Sequence, residues 1–140
     1  MNKFTAFLER HRDWSTFIVR VGIGFVFLWF GIDKFVHVSN WTGWVPQWME
    51  SLIPMSLITF MCVQGVVESL IGLLLIIGYQ VRIASLIAVI TLLGIELAMV
   101  GTGQTEMMLR DGAILAASLS LVFTGSDKRS VDGLLLKKKS

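Results

Sequence analysis

The sequence predicts an all-α membrane protein, a single bundle of four transmembrane helices with both termini on the cytoplasmic side. Three observations lead there. Hydrophobic residues make up 54% of the 140 residues and charged ones 16%, against about 45–50% and about 25% in soluble domains, and mean hydropathy is +0.73. Four apolar stretches each reach the roughly 20 residues a helix needs to cross a hydrocarbon core about 30 Å thick. Lys and Arg gather in alternate connecting segments, the asymmetry that orients membrane spans. A chain of this length fits one domain, residues 1–140. Twelve Lys and Arg against ten Asp and Glu leave a formal charge of +2, too small an excess to imply a nucleic-acid partner. Cys62 is the only cysteine, so intramolecular disulfides and Cys-based redox or zinc motifs are excluded.

The first span, about 14–38, reads WSTFIVRVGIGFVFLWFGIDKFVHV and carries only Arg20, Asp33 and Lys34 as charges. Its apolar run is too long for a cleavable leader, and no Ala-x-Ala-like site follows it. The second span, about 52–79, holds only Glu68. The third, about 82–103, holds Glu96 beyond its opening Arg82, and the fourth, about 107–125, begins with Arg110 and Asp111. Helices this long and apolar on several faces would leave a soluble bundle no solvated surface. Basic residues lie before the first span (Lys3, Arg10, Arg12), in the second turn (Arg82) and in the tail 126–140 (Lys128, Arg129, Lys137, Lys138, Lys139). Segments 38–51 and 101–109 contain none. An even number of crossings then returns the chain to the cytoplasmic side. The tail is a topology signal and a contact for anionic lipid, worth about 1 kcal/mol per basic residue near the surface.

In the outward loop, Trp41, Trp44 and Trp48 fall at i, i+3 and i+7, one face of a helix. Pro46 suits a first helical turn, so a short helix is expected from about residue 45 or 46 into the second span. The indoles read either as an interfacial belt or as an aromatic lid that covers an outer pocket and stacks on a flat ligand. Close packing of spans requires small residues. Gly22, Gly24 and Gly31 offer them in the first span, Gly65 and Gly72 in the second, Gly94 and Gly101 in the third, and the Gly112, Ala113, Ala116 and Ala117 group in the fourth.

A charge at the centre of a span costs about 2.5–3.5 kcal/mol on insertion scales. Arg20, Asp33, Lys34, Glu68, Glu96, Arg110 and Asp111 are therefore expected to turn inward as a buried polar cluster or ligand site. At about 1.5 Å per residue, Glu68 lies near mid-membrane, Arg20 in the inner half and the other five in the outer half. Three bases against four acids leave one carboxylate unpaired, and Glu68, the deepest, is expected to be the protonated one. The alternative is that Arg20 and Arg82 snorkel to headgroups and that Asp33-Lys34 and Arg110-Asp111 sit at the outer interface. His11 and His37 are too far apart to clamp a metal or haem together, so no metal is expected.

The stretches RVGIGFVFLWFGIDKF, VVESLIGLLLIIGYQVRIASLIA and FTGSDKRSVDGLL resemble the DoxX family of small four-helix membrane proteins. Arg20, Gly24, Gly31 and Lys34 match its first-span pattern. Glu68, Gly72, Gly78 and Arg82 match the second, and Gly125, Arg129, Ser130 and Asp132 match the closing one. The resemblance implies a multi-pass protein of the cytoplasmic (inner) membrane of a bacterium or archaeon. It also implies a link to quinone reduction, since named members include a subunit of thiosulfate:quinone oxidoreductase. A buried acid could move the accompanying protons, bases could polarise a quinone oxygen, and aromatic rings could stack on it. None of these side chains carries electrons, so a redox partner subunit or bound cofactor is implied. A homo-oligomer, a non-catalytic membrane anchor or assembly partner, and a small proton-coupled transporter remain open alternatives.

Overall fold

The computed structural model describes residues 2–139, with side chains through Lys138; Ser140 and the side chain of Lys139, the end of the predicted basic tail, lie outside the described residues. Eight helices succeed one another among them: α1 (Lys3–Arg10), α2 (Trp14–Val36), α3 (Val38–Thr42), α4 (Gln47–Glu50), α5 (Leu57–Ile77), α6 (Val81–Met99), α7 (Thr105–Thr124) and α8 (Val131–Lys139). Of these, α2, α5, α6 and α7 are long and apolar enough to cross a membrane, so the chain is an all-α protein with four candidate spans.

Helix ends differ from the predicted ones for local reasons. α2 stops at Val36 because His37 leaves helical geometry (φ −125°, ψ 44°). The second span starts at residue 57 rather than 52, since Pro54 cannot sit inside a helix. Ser56 caps the new start, its hydroxyl accepting the Thr59 N–H at 3.2 Å. The expected helix running from residue 46 into that span is instead the single turn α4. α6 ends at Met99, ahead of Gly101 and Gly103, both at positive φ. The flanking helices α1 and α8 were not expected.

The bundle is two helix pairs, α2 packed on α5 and α6 on α7, joined by sparser contacts. Glycine sets the first pair. A Cβ on Gly24 would lie 3.0 Å from the Gly72 carbonyl oxygen, and one on Gly65 would lie 2.9 Å from that of Gly31. Each is a backbone contact that no larger residue allows. In α6 the expectation is overturned: Gly94 has no described atom within 4 Å of a Cβ position, and Gly101 is outside the helix. Ala84, Ala88, Leu92 and Leu121 are buried in the core instead. Phe25, Trp29, Ile90 and Phe123 are exposed, as befits faces solvated by lipid.

Both chain ends lie on one side of the bundle. Lys128 Nζ meets Asp13 Oδ2 at 2.6 Å, and the Arg129 guanidinium stacks 3.9 Å from the Trp14 ring.

Candidate functional site

Two ionic centres occupy opposite ends of the bundle. At the termini end, the fully buried Arg20 donates from Nε to Asp127 Oδ2 at 2.7 Å and from Nη1 to the Leu75 and Ile76 carbonyls. Those carbonyls are among the last of α5, which have no partner within their own helix. The tail completes the arrangement. Asp132 accepts the Gln80 and Val81 N–H groups, each at 2.9 Å, at the start of α6, and its own N–H donates to the Gly78 carbonyl at 3.0 Å. Gly78 takes φ +78° to end α5, and a Cβ there would stand 2.8 Å from Arg20 Nη1. This centre is a clamp on α2, the α5–α6 turn and the segment after α7. Arg82, expected to snorkel, is exposed, and its Nε would be 2.7 Å from a Cβ on Gly125.

At the loop end, the approach of Gly31 to Gly65 brings the residues three further along each helix within reach. Lys34 passes Gly65, where a Cβ would be 3.2 Å from its own, and its Nζ donates to Glu68 Oε2 at 2.6 Å. Both side chains are buried. The ammonium also lies 3.8 Å from the Trp41 ring centroid. Asp33 anchors that indole, accepting Trp41 Nε1–H at 2.8 Å while its other oxygen meets His37 Nδ1 at 2.7 Å. On α7, Arg110 Nε donates to Asp111 Oδ1 at 2.7 Å, and the guanidinium carbon sits 4.8 Å from the Phe30 centroid.

These groups surround a cavity of about 380 Å³ between α2, α5, α6 and α7, capped by the 41–49 loop. Lys34, Glu68, Arg110 and Asp111 line it together with Trp41 and Trp44. Its size is that of a small-molecule site, and its mostly apolar walls with a few convergent polar groups match one.

Four of the seven expected ionisable residues thus meet in one cavity, while Asp33 stands behind Trp41 as its support. Arg20 does not join them, because the clamp holds it at the other end. Glu96 is on α6 but not on the cavity wall; its Oε1 faces α7, 3.8 Å from a Cβ position on Gly112. The expected charge pairing also changes, since Asp127 supplies a fifth acid from beyond the spans. Glu68 is ion-paired, and the carboxyl oxygen buried without a hydrogen-bond partner among the described residues is Glu96 Oε1. The three tryptophans do not share a helix face, because the turn at residues 43–46 separates α3 from α4. Trp41 and Trp44 line the cavity, whereas Trp48 turns away to a neighbouring hollow.

Sequence reading missed Asp127 and the uncharged Gln64 and Thr91, which also line the cavity. A signal for Asp127 existed: an arginine too deep to remain unpaired, and an acid just after the last span on the same side. Gln64 and Thr91 gave no such signal, since a neutral polar residue is inexpensive in a span. Among the described residues no group of three or more His, Cys, Asp or Glu side chains is placed to hold a metal ion.

Four apolar helices around a partly enclosed ionic cavity define a small polytopic membrane protein with a buried polar site. The chain belongs to the DoxX family, whose model matches residues 15–101. That match includes Arg20, Lys34, Glu68 and Glu96, and it ends before Arg110, Asp111 and Asp127. No curated protein and no solved structure matches the chain.

Proposed function

We propose that the loop-end cavity binds a quinone-type ring and that the protein is a membrane subunit of a quinone-linked oxidoreductase. It would reside in the cytoplasmic membrane of a bacterium or archaeon, with both termini in the cytoplasm. The basic residues at the termini end, in 3–12, at Arg82 and in the tail, support that orientation, since cytoplasmic loops carry the excess of Lys and Arg.

The observation that carries the reading is the Lys34–Glu68 pair set beneath Trp41 on the wall of a cavity of ligand size. The residues present fit the group. An ammonium has three donors and a guanidinium five; one hydrogen bond from Lys34, to Glu68, and one from Arg110, to Asp111, leave donors for ring oxygens. A bound quinone supplies a ring that accepts electrons and protons together. Lys34 Nζ donates to a ring oxygen and holds a proton at that position. Glu68, 2.6 Å away, accepts from the ammonium and holds it charged and oriented towards the ring. Arg110 stabilises negative charge at the ring. Trp41, Trp44 and Phe30 provide faces and edges for stacking. The electrons come from a partner subunit or a cofactor bound by it.

Organic extraction of the protein, purified in its native lipids, tests this reading by mass spectrometry. Near-stoichiometric quinone, lost in Lys34→Met, is the expected result. Lipid without quinone from the wild-type protein would overturn it.

A further inference from the structure

A second hollow, of about 370 Å³, adjoins the cavity between α4, the 51–56 turn, the start of α5 and the last turns of α6. Trp48, Leu52, Pro54 and Met55 form one wall and Leu97 part of the other. No charged side chain lines it. Met49, Phe60, Gly94 and Ala98 line both spaces. Gly94, on the wall common to both, is exposed, and a Cβ there would meet no described atom within 4 Å.

The direction in which this hollow opens decides what can fill it. Leu52 and Leu97 are 71% and 69% exposed at its rim. Leu97 lies within the α6 span Val81–Met99, so on that side the mouth meets hydrocarbon. Water in such a space would find almost none of the two to four polar partners it needs, whereas a hydrocarbon chain needs none. Lys34, Glu68, Arg110 and Asp111 line the first cavity and not this one. One polar end joined to an apolar channel that opens into the bilayer has the shape of an amphiphile.

We propose that the ligand is a long-chain amphiphile whose ring lies against Lys34 and Arg110 and whose tail passes Gly94 through the second hollow into the lipid. Met49, Phe60, Gly94 and Ala98, which line both spaces, then flank the junction of ring and tail. This rests on the ring-binding reading of the first cavity, and the experiment separates the two.

Wild-type protein and Ile53→Trp, both in nanodiscs, are titrated with a tail-less benzoquinone and with the same ring bearing a decyl chain, concentrations being expressed per lipid. An indole at residue 53, which lines only the second hollow, fills the tail's path. It should weaken decyl-quinone binding by about tenfold or more and tail-less binding by less than about twofold. Equal weakening of both ligands, or of neither, overturns the tail passage while the ring site stands. Failure of wild-type protein to bind either quinone overturns both. A second measurement uses wild-type protein alone: a decyl quinone with a terminal diazirine should label residues 52–55 and Leu97 on photolysis. Labelling confined to outward faces such as Phe25 and Trp29 overturns the tail passage and assigns the hollow to bilayer acyl chains.

Discussion

Arg20 and Lys34 are both buried cations in α2, yet they are solvated by different means. Arg20 has a carboxylate and two helix-end carbonyls, all fixed by backbone geometry. Lys34 has a carboxylate and an aromatic face, and it lines a cavity. The first arrangement serves structure and the second leaves room for a ligand. Removing one member of a buried pair leaves a charge without compensation, at a cost of about 3–5 kcal/mol. Asp127→Ala should therefore lower stability by about that amount in a detergent unfolding titration. Arg20→Met combined with Asp127→Leu should recover most of the loss, because an apolar pair leaves nothing to solvate. The exposed Asp13–Lys128 pair contrasts with it, and Asp13→Asn should lower the unfolding midpoint far less than Asp127→Ala does. The Lys128 ammonium, through its hydrogen bond and then its charge, holds the Asp13 carboxyl below the usual carboxylate range. Its contribution is thus complete above an unfolded-state value of about 3.9 and is lost as pH falls through the lower folded-state value. A carbon-13 titration of the Asp13 carboxyl should show that lowered midpoint, and Lys128→Met should raise it.

Among the helices, glycine position rather than glycine number governs packing. Gly72 and Gly22 are both span glycines, but a Cβ on Gly72 would lie 2.7 Å from the Gly24 carbonyl oxygen and one on Gly22 meets nothing within 4 Å among the described residues. Gly72→Leu should push α5 off α2 and cost at least about 1–3 kcal/mol, as overpacking does. Gly22→Ala should stabilise α2 by about 0.5–1 kcal/mol, the helix-propensity difference. Thermal unfolding in one detergent would compare the two. The same separation predicts a functional difference. Under the proposed quinone-binding role, Gly65→Val, which occupies the space crossed by the Lys34 stem, should reduce bound quinone as well as stability, whereas Gly22→Ala should leave the quinone content unchanged. The loop shows the opposite dependence. Three tryptophans spaced for one helix face end in two separate spaces, because the turn at 43–46 and Pro54 interrupt helical geometry on either side of Trp48.

The whole bundle is closed at one end and open at the other. The clamp of Arg20, Asp127 and Asp132 ties α2, the α5–α6 turn and the tail together, while α5 and α6 leave space between them towards the loops. Single cysteines placed at residues 3 and 137 should react with a membrane-impermeant thiol reagent from the same side, because the Asp13–Lys128 contact places both ends together. Under the proposed orientation that side is exposed in inverted inner-membrane vesicles and protected in spheroplasts. Labelling in spheroplasts would reverse the orientation without disturbing the fold. Four spans and an interior role for Lys34 and Glu68 were legible from residues alone, because hydrocarbon imposes a minimum apolar length and penalises every unpaired charge. The sequence also read Trp41, Trp44 and Trp48 together as an interfacial belt or a lid, and of these Trp41 and Trp44 line the cavity. It did not reveal Asp127 as the partner of Arg20, Glu96 as the acid with a buried oxygen lacking a hydrogen-bond partner among the described residues, or the second hollow beside the cavity. Pairing across 107 residues and space between helices depend on how helix faces meet, and the one-dimensional pattern of apolar residues does not encode that. Composition and span length by themselves determined the solvent this protein folds in, whereas glycine-limited backbone approach in three dimensions decided which charges pair and where a cavity is left.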